Sequence, residues 1–392
     1  MHVRTRHWNV PVVSTMLTCA LILTSTPVFA SNPTQRPLYE IAFVGPLTGP
    51  QGTFTTRLEL AARLAVNQAN ARSSLPFRLQ FVAYDTKGDP ALSRVIDQHL
   101  VSRPHLVAVV GPTTNEDVAI AGPLFAASQL AMVTPSAGAP SLATMGYRNF
   151  FRVVADDGAQ GIADGDFLVK ARGSRRVFVV SDGSAYGSAI ALAVSAQVTR
   201  DGGIVTNEVA PTTTQCAAGP GDAAQYTQIA RAALASQATS VFYGGSYCDF
   251  GLLLTSLTNA GYHGVILSDD AVDSSALVRS VAMTNNLDGV YLSCGCVTST
   301  NVAFNRAFAR VAHVSAARAN DAAEAYDATN TIIAAMGSLS RVTRAALTAA
   351  LRRVVYHGIT GSVSFAANGN RRATVTSFAQ MQNGSIVPIG SA

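Results

Sequence analysis

Apolar residues in this chain recur in two rhythms. Short apolar runs bounded by Gly, Pro, Asp or Ser alternate with longer stretches whose apolar positions fall three and four apart. These are the patterns of buried strands and amphipathic helices. Residues 109–142, VVGPTTNEDVAIAGPLFAASQLAMVTPSAGAPSL, show both rhythms in one stretch. An apolar run (106–110) meets Gly111-Pro112 and a small polar cluster, and a helical pattern follows. A second run (130–133) then ends in Thr134-Pro135-Ser136-Ala137-Gly138. If the two strands are parallel neighbours, both polar turns lie at one carboxyl edge, where open α/β sheets bind ligands. Helix starts at that edge carry unpaired N–H groups that can hold a small anion without an arginine. These turns read as half of a small-molecule site.

The rest of the chain repeats the theme. Residues 38–44 form a strand, and a helix from about 56 has Leu58, Ala61, Ala62, Leu64, Ala65 and Ala69 on its apolar face. A strand (77–84), a capping turn (85–90) and a helix (91–102) lead into the organising stretch. After Asn149-Phe150-Phe151-Arg152 the pattern restarts. A helix at 160–171 precedes strands at 176–180, 203–210, 240–243, 265–267 and 287–292, with polar turns at 181–187, 244–249 and 268–270. Helices at 304–312, 321–338 and 341–354 come next. Strands at 361–365, 373–382 and 385–388 close the chain, with Asn368-Gly369-Asn370 as a hairpin turn. The class is α/β, with two doubly wound parallel-sheet lobes.

Residues 1–30 read as an export signal. Arg4 and Arg6 give a positive start, an apolar stretch follows, and Val28-Phe29-Ala30 suits cleavage before Ser31. The expected location is the periplasm. A lipid-anchored form through Cys19 is the lesser reading, because Thr18 suits such a site poorly. Cleavage would leave 26 of the 28 basic residues and all 23 acidic ones. The basic residues are scattered without interleaved aromatics, so no nucleic-acid partner is expected. Beyond the leader, no apolar run is long and uncharged enough to span a bilayer.

Four cysteines follow the leader: Cys216, Cys248, Cys294 and Cys296. In an exported chain they are disulfide candidates, with one or two bridges expected in the second lobe and the pairing open. Cys294-Gly-Cys296 is neither a zinc half-site nor a redox motif, and the histidines show no ligand spacing. Gly183-Ser184-Ala185-Tyr186-Gly187 has alanine where a nucleophile elbow would place serine. There is also no dinucleotide fingerprint. Neither an enzyme nor a cofactor is expected.

Several segments together carry a resemblance: IAFVGPLTGPQG, YDTKGDP, VVGPTTNED, MVTPSAGAPSL, VVSDGSAYGSAI, VFYGGSYCDFGLLL and GSVSFAANGN. In order and spacing the chain from Leu38 onward resembles the periplasmic solute-binding proteins of ABC transporters with the type I fold, specifically the branched-chain amino-acid (leucine/isoleucine/valine) group. The resemblance implies two lobes joined by a three-segment hinge. Lobe 1 would hold residues 38–154 and 297–370, and lobe 2 residues 155–296 and 371–392. It further implies a monomer that binds an amino acid in the inter-lobe cleft and delivers it to a membrane permease. A ligand sensor of the same fold, binding an amide, urea or aromatic acid, is the alternative.

Carried over residue by residue, the family's carboxylate-binding serine falls on Asn115. The carbonyl for the ligand ammonium falls on Ser136, and a carboxylate-binding threonine falls on Gly138, with Ala137 between. Tyr186 matches the second-lobe tyrosine. The next tyrosine falls on Ser246, with Tyr247 as substitute. The ammonium-binding acid falls on Asp270, with Asp269 competing. Phe54 keeps an aromatic wall, while Thr113 and Thr114 stand where the family is apolar. Asp321 and Glu324 begin a helix near the cleft and are read either as N-terminal helix charge or as a pocket for a polar or cationic side chain.

Overall fold

A computed structural model describes residues 2, 36–72, 74–209, 220–245, 247–272, 289–382 and 385–392. The chain divides into two units, Met1–Arg36 and the body Pro37–Ala392. Apart from His2, the expected export signal lies outside the described residues. Among the described residues, no helix is long and apolar enough to cross a membrane.

In the body, β1 (Leu38–Gly45), β2 (Arg78–Asp85), β3 (Leu106–Val110), β4 (Ala131–Thr134) and β5 (Phe150–Arg152) form a parallel sheet in the order β2-β1-β3-β4-β5. The strands β3 and β4 are buried along their whole length, which explains why they read as continuous apolar runs rather than alternating ones. Helices α1 (Gly52–Asn70), α2 (Pro90–Ser102) and α3 (Asn115–Ala127) connect the first four strands.

The second sheet begins with β6 (Arg176–Ser181), β7 (Ile204–Val209), β8 (Ser240–Gly244), β9 (Val265–Ser268) and β10 (Val290–Cys294), again parallel. Its helices are α4 (Asp157–Asp166), α5 (Ala185–Arg200), α6 (Pro220–Ala235) and α7 (Tyr247–Asn259). Then α8 (Val302–Ala312), α9 (Ala322–Gly337) and α10 (Arg344–Leu351) return to the first sheet. Phe308, Ala325, Ala328, Ile332 and Leu347 share one core with Ile41, Phe43, Val110 and Val133. A small hairpin of β11 (Tyr356–Gly358) and β12 (Gly361–Val363) precedes the antiparallel strands β13 (Ser377–Gln382) and β14 (Ser385–Ser391). These complete the second sheet in the order β14-β13-β10-β9-β8-β6-β7.

Several element boundaries differ from the pattern reading. The strand read from 373 starts at Ser377, because Arg371 remains with the first sheet: its N–H donates to the Arg152 carbonyl at 3.0 Å. The hairpin's first strand, Tyr356-His357-Gly358, gave no apolar run; its turn is set by Gly361 at φ +94°, a conformation glycine adopts without steric cost. The strand read from 287 begins at Val290 and runs on to Cys294.

The chain thus leaves the first sheet after β5, returns after β10 and leaves again before β13. One fully buried side chain knots this junction. The Arg152 guanidinium donates to the carbonyls of Ala137 (3.1 Å) and Ala139 (2.9 Å) and to Asn370 Oδ1 (2.8 Å). It also pairs with Asp156 at 3.4 Å, and Asn370 Nδ2 donates to the same Asp156 carboxylate at 2.9 Å. Removing one partner of a buried, hydrogen-bonded charge pair costs ~3–5 kcal/mol. Arg152→Met should therefore lower the unfolding free energy by about that amount in urea titration. A loss below about 1 kcal/mol, the scale of an ordinary surface contact, would show that the knot contributes little.

Candidate functional site

The first wall is built by the turns after β3 and β4. Thr114 caps α3, accepting from the Asp117 N–H at 3.1 Å. This places Asn115 at the helix start, with its Oδ1 accepting from the Ala139 N–H at 3.0 Å. The NH2 end of Asn115 is left as a donor at the cavity wall. Thr134 Oγ1 donates to the Pro112 carbonyl at 2.7 Å, and Ser136 Oγ donates to the Thr113 carbonyl at 2.8 Å, so the two turns are laced together. With its hydroxyl engaged, Ser136 offers its carbonyl.

Gly138 is where the site departs from the family pattern. Its carbonyl accepts from the Asp157 N–H at 3.0 Å. A Cβ at Gly138 would lie 1.8 Å from Asp157 Oδ1. Threonine cannot stand there in this arrangement. A carboxylate occupies the corner where the resemblance implied a hydroxyl.

The second wall comes from the other sheet. Asp270 follows β9, and its Oδ1 accepts from Tyr186 Oη at 3.1 Å and from Gln160 Nε2 at 3.0 Å. Gln160 Nε2 also donates to Ser293 Oγ at 3.2 Å. Asp269, the competing acid, is buried and engaged with the backbone N–H groups of Gly245 (3.0 Å) and Ala271 (2.9 Å). Its role is to hold the turn that presents Asp270.

A third element is Asp321, immediately before α9. Its backbone is left-handed (φ +60°), a conformation Asp tolerates better than most residues, and its side chain makes no capping bond. It is buried, and Oδ1 has no hydrogen-bond partner. Of the two readings of this residue, a buried side chain without a capping bond favours the pocket over helix-terminal charge. Glu324 behaves differently: it accepts from the Val297 N–H at 2.7 Å, where the chain re-enters the first sheet.

These pieces enclose one cavity of about 70 Å³, room for several water molecules or a compact solute. It is lined by Asn115, Ser136, Gly138, Val154, Ala155, Asp157, Gln160, Tyr186, Asp270, Gly295 and Asp321. Phe54, Thr113, Thr114 and Ala137 do not line it. Phe54 packs against the first-sheet core, Thr113 and Thr114 hold the turn, and the Ala137 carbonyl faces Arg152. Cys216 and Ser246 lie outside the described residues, as do the side chains of Tyr247 and Cys248. Cys294 and Cys296 are joined in a disulfide beside the cavity residue Gly295.

Pattern reading missed Asp157, Gln160 and the hinge-proximal Val154, Ala155 and Gly295. One signal was available for Asp157. In Asp156-Asp157-Gly158 a single acid suffices as helix cap, and Asp156 fills that role by accepting from the Ala159 N–H at 2.9 Å.

Among the described residues lining the cavity there are three aspartates and no Lys, Arg or His. Burial pushes the Asp157 carboxyl up to about 7, helped by the nearby Asp270 charge and opposed by Arg152. Burial also raises Asp270, offset by the bonds from Gln160 and Tyr186. Asp321 is held well above the carboxylate range by burial, then by Glu324 and Asp270. Burial pushes Glu324 up to about 7. The arrangement suits a ligand that donates hydrogen bonds and carries positive charge.

Two open α/β sheets whose carboxyl-edge turns close on a shared small cavity define a two-lobed solute receptor of the type I fold. The periplasmic binding protein family model matches residues 39–385, and the chain belongs to that family. It is 27% identical over 250 residues to a leucine-, isoleucine-, valine-, threonine- and alanine-binding protein of Pseudomonas aeruginosa, covering 64% of this chain and 65% of that one. It is 26% identical over 236 residues to Leu/Ile/Val-binding protein homolog 3 of Brucella melitensis, covering 60% and 62%. The matches thus span a little under two thirds of these relatives. Among solved structures, the leucine-binding protein LivK of Thermotoga maritima superposes with TM-score 0.76 at 19% identity, covering 90% of this chain and 98% of that one. A solute-binding protein of R. palustris in complex with benzoate superposes with TM-score 0.72 at 16% identity, covering 90% and 96%.

The raised Asp157 carboxyl gives the empty protein a pH signature. A folded-state value of about 7, against ~3.9 in the unfolded chain, means the folded state holds its proton longer. Stability from this group is therefore full below about pH 4 and is lost as pH rises through about 7. Asp157→Asn should flatten the dependence of unfolding free energy on pH between about 5 and 7.5 and stabilise the protein at the upper end. Parallel pH profiles for wild type and variant would contradict this assignment.

Proposed function

We propose that this protein is an extracytoplasmic solute-binding protein that captures an amino acid or a closely related small amine between its two lobes. It then delivers that ligand, as a monomer, to an ABC transporter permease. The observation that carries this reading is Asp270, held by Tyr186 and Gln160 and sharing a cavity with the turns of Asn115 and Ser136 from the other sheet. In this reading Asp270 takes the ligand ammonium together with the Ser136 carbonyl, and the Asn115 amide meets the ligand's acceptor end. Neither wall holds all the contacts alone. Binding would therefore favour the closed arrangement of the lobes, which the permease recognises.

The relatives' names support an amino acid, and the exported leader read in residues 1–30 supports delivery across the periplasm. An aromatic acid, the ligand class of the benzoate-bound neighbour, suits this cavity poorly. It carries no ammonium, so it would bring no counter-charge to the cavity's aspartates. Solute capture needs no bond-breaking group, so the reading is of a carrier and not an enzyme.

A thermal-shift screen of the exported chain tests the reading, since a ligand that binds only the native state raises its midpoint. Amino acids or small amines should raise it, and their N-acetyl derivatives should not. Truncating a buried charged contact costs ~2–5 kcal/mol, so Asp270→Ala should weaken binding by well over tenfold in titration calorimetry. If sugars or dicarboxylates stabilise the protein while amines do not, the proposal fails.

A further inference from the structure

We infer that the solute carries two separated positive centres, one met by Asp270 and the other by Asp321. The ligand class is then a compact organic dication-bearing molecule, such as a basic amino acid or a short diamine, rather than a branched-chain amino acid. The inference rests on reading the cavity as the solute site and names the chemistry that site selects.

Asp321 and Asp270 reach the cavity from different elements. Asp321 comes from the start of α9, which packs on the first sheet, and Asp270 from the turn after β9 of the second. Asp270 already has two hydrogen-bond donors in Tyr186 and Gln160. Asp321 has no partner for its Oδ1, yet it is 3% exposed and lines the cavity. A buried carboxylate oxygen without a partner is costly, and this one sits on a left-handed backbone with no capping bond. Both features are accounted for if a bound N–H-bearing cation completes it.

The nearest buried arginines do not serve this purpose. Arg152 is engaged with Ala137, Ala139, Asn370 and Asp156, and Arg371 with Thr360, Ser362 and Val153. Neither lines the cavity. A single metal ion is a poorer fit than an extended cation. Among the described residues, the acid- or thiol-bearing trio close enough to share one ion, with ligand atoms within 4.8 Å of one another, is Cys294, Cys296 and Asp321. Its two sulfurs are already bonded to each other. The cavity's three aspartates do not bring three carboxylate oxygens within 4.8 Å of one another, so one small ion could not be held by all three.

The test compares ornithine, putrescine and norvaline (ornithine without its terminal amine) by titration calorimetry on the exported chain and on Asp321→Asn. Asparagine tolerates the same left-handed backbone, and the thermal midpoint of the empty variant reports whether it folds. The wild-type comparison needs no variant at all. Ornithine or putrescine should bind the wild type at least about tenfold more tightly than norvaline, and Asp321→Asn should erase most of that difference while leaving norvaline within about threefold. Preference for putrescine over ornithine would identify a diamine, and the reverse a basic amino acid. Norvaline binding as tightly as both dications would overturn the inference while leaving amine capture standing. A dication preference that survives Asp321→Asn would overturn the role given to Asp321. If none of the three binds, the inference and the proposed function fall together.

Discussion

Three aspartates share one small cavity with no Lys, Arg or His among its described lining residues, and much of the surrounding structure follows from that constraint. Removing a carboxylate from water costs several kcal/mol unless it is paired, and like charges nearby add to the cost. The protein meets the cost unevenly. Asp270 receives two side-chain donors, whereas Asp157 and Asp321 each keep a buried oxygen without a partner. In the proposed reading, a cation-free cavity of this kind favours proton uptake or lobe separation, and an incoming N–H-bearing cation relieves both. Ligand chemistry and lobe closure would then be coupled through the same electrostatic interaction.

The scaffold keeps that arrangement from collapsing. Arg152, buried behind the β4 turn, pulls the Ala137 and Ala139 carbonyls away from the cavity and ties them to Asp156 and Asn370. The absence of a side chain at Gly138 gives Asp157 its place at the corner. Asp269, buried one residue before Asp270, holds the turn through backbone N–H groups. Each of these residues acts on the cavity by positioning another group.

Much of the fold was legible in the chain because its signals are local. Apolar runs at 106–110 and 130–133 mark strands buried on both faces, and the polar turns that end them lie where the ligand wall is built. Asn115, Ser136, Gly138, Tyr186 and Asp270 were visible as turn and helix-start residues at carboxyl edges, helped by the family resemblance. What was not legible depends on three-dimensional closure. Asp157 lies ahead of the start expected for its helix and Gln160 at that start, and periodicity does not show that this end of the helix meets the cavity. For Asp321 both readings, helix-terminal charge and polar pocket, stayed open because its left-handed backbone leaves no trace in periodicity. Phe54, Thr113 and Thr114, expected at the wall from the resemblance, are engaged in core packing and turn lacing and lie outside the cavity lining. The burial of Arg152 left no signal in the apolar pattern, because partners such as Asn370 are distant in sequence.

The most direct measurement of the central claim is a carboxyl-carbon NMR titration of aspartate-labelled protein, empty and then saturated with a tight-binding amine. Asp157→Asn, Asp270→Asn and Asp321→Asn would assign the signals. If the cavity carboxyls lack counter-charge until the ligand arrives, at least one of the three should titrate near neutrality when empty, and all should move down to the ordinary carboxylate range when the amine binds. Cavity aspartates that titrate in the ordinary range in the empty protein, and do not move on saturation, would contradict the account.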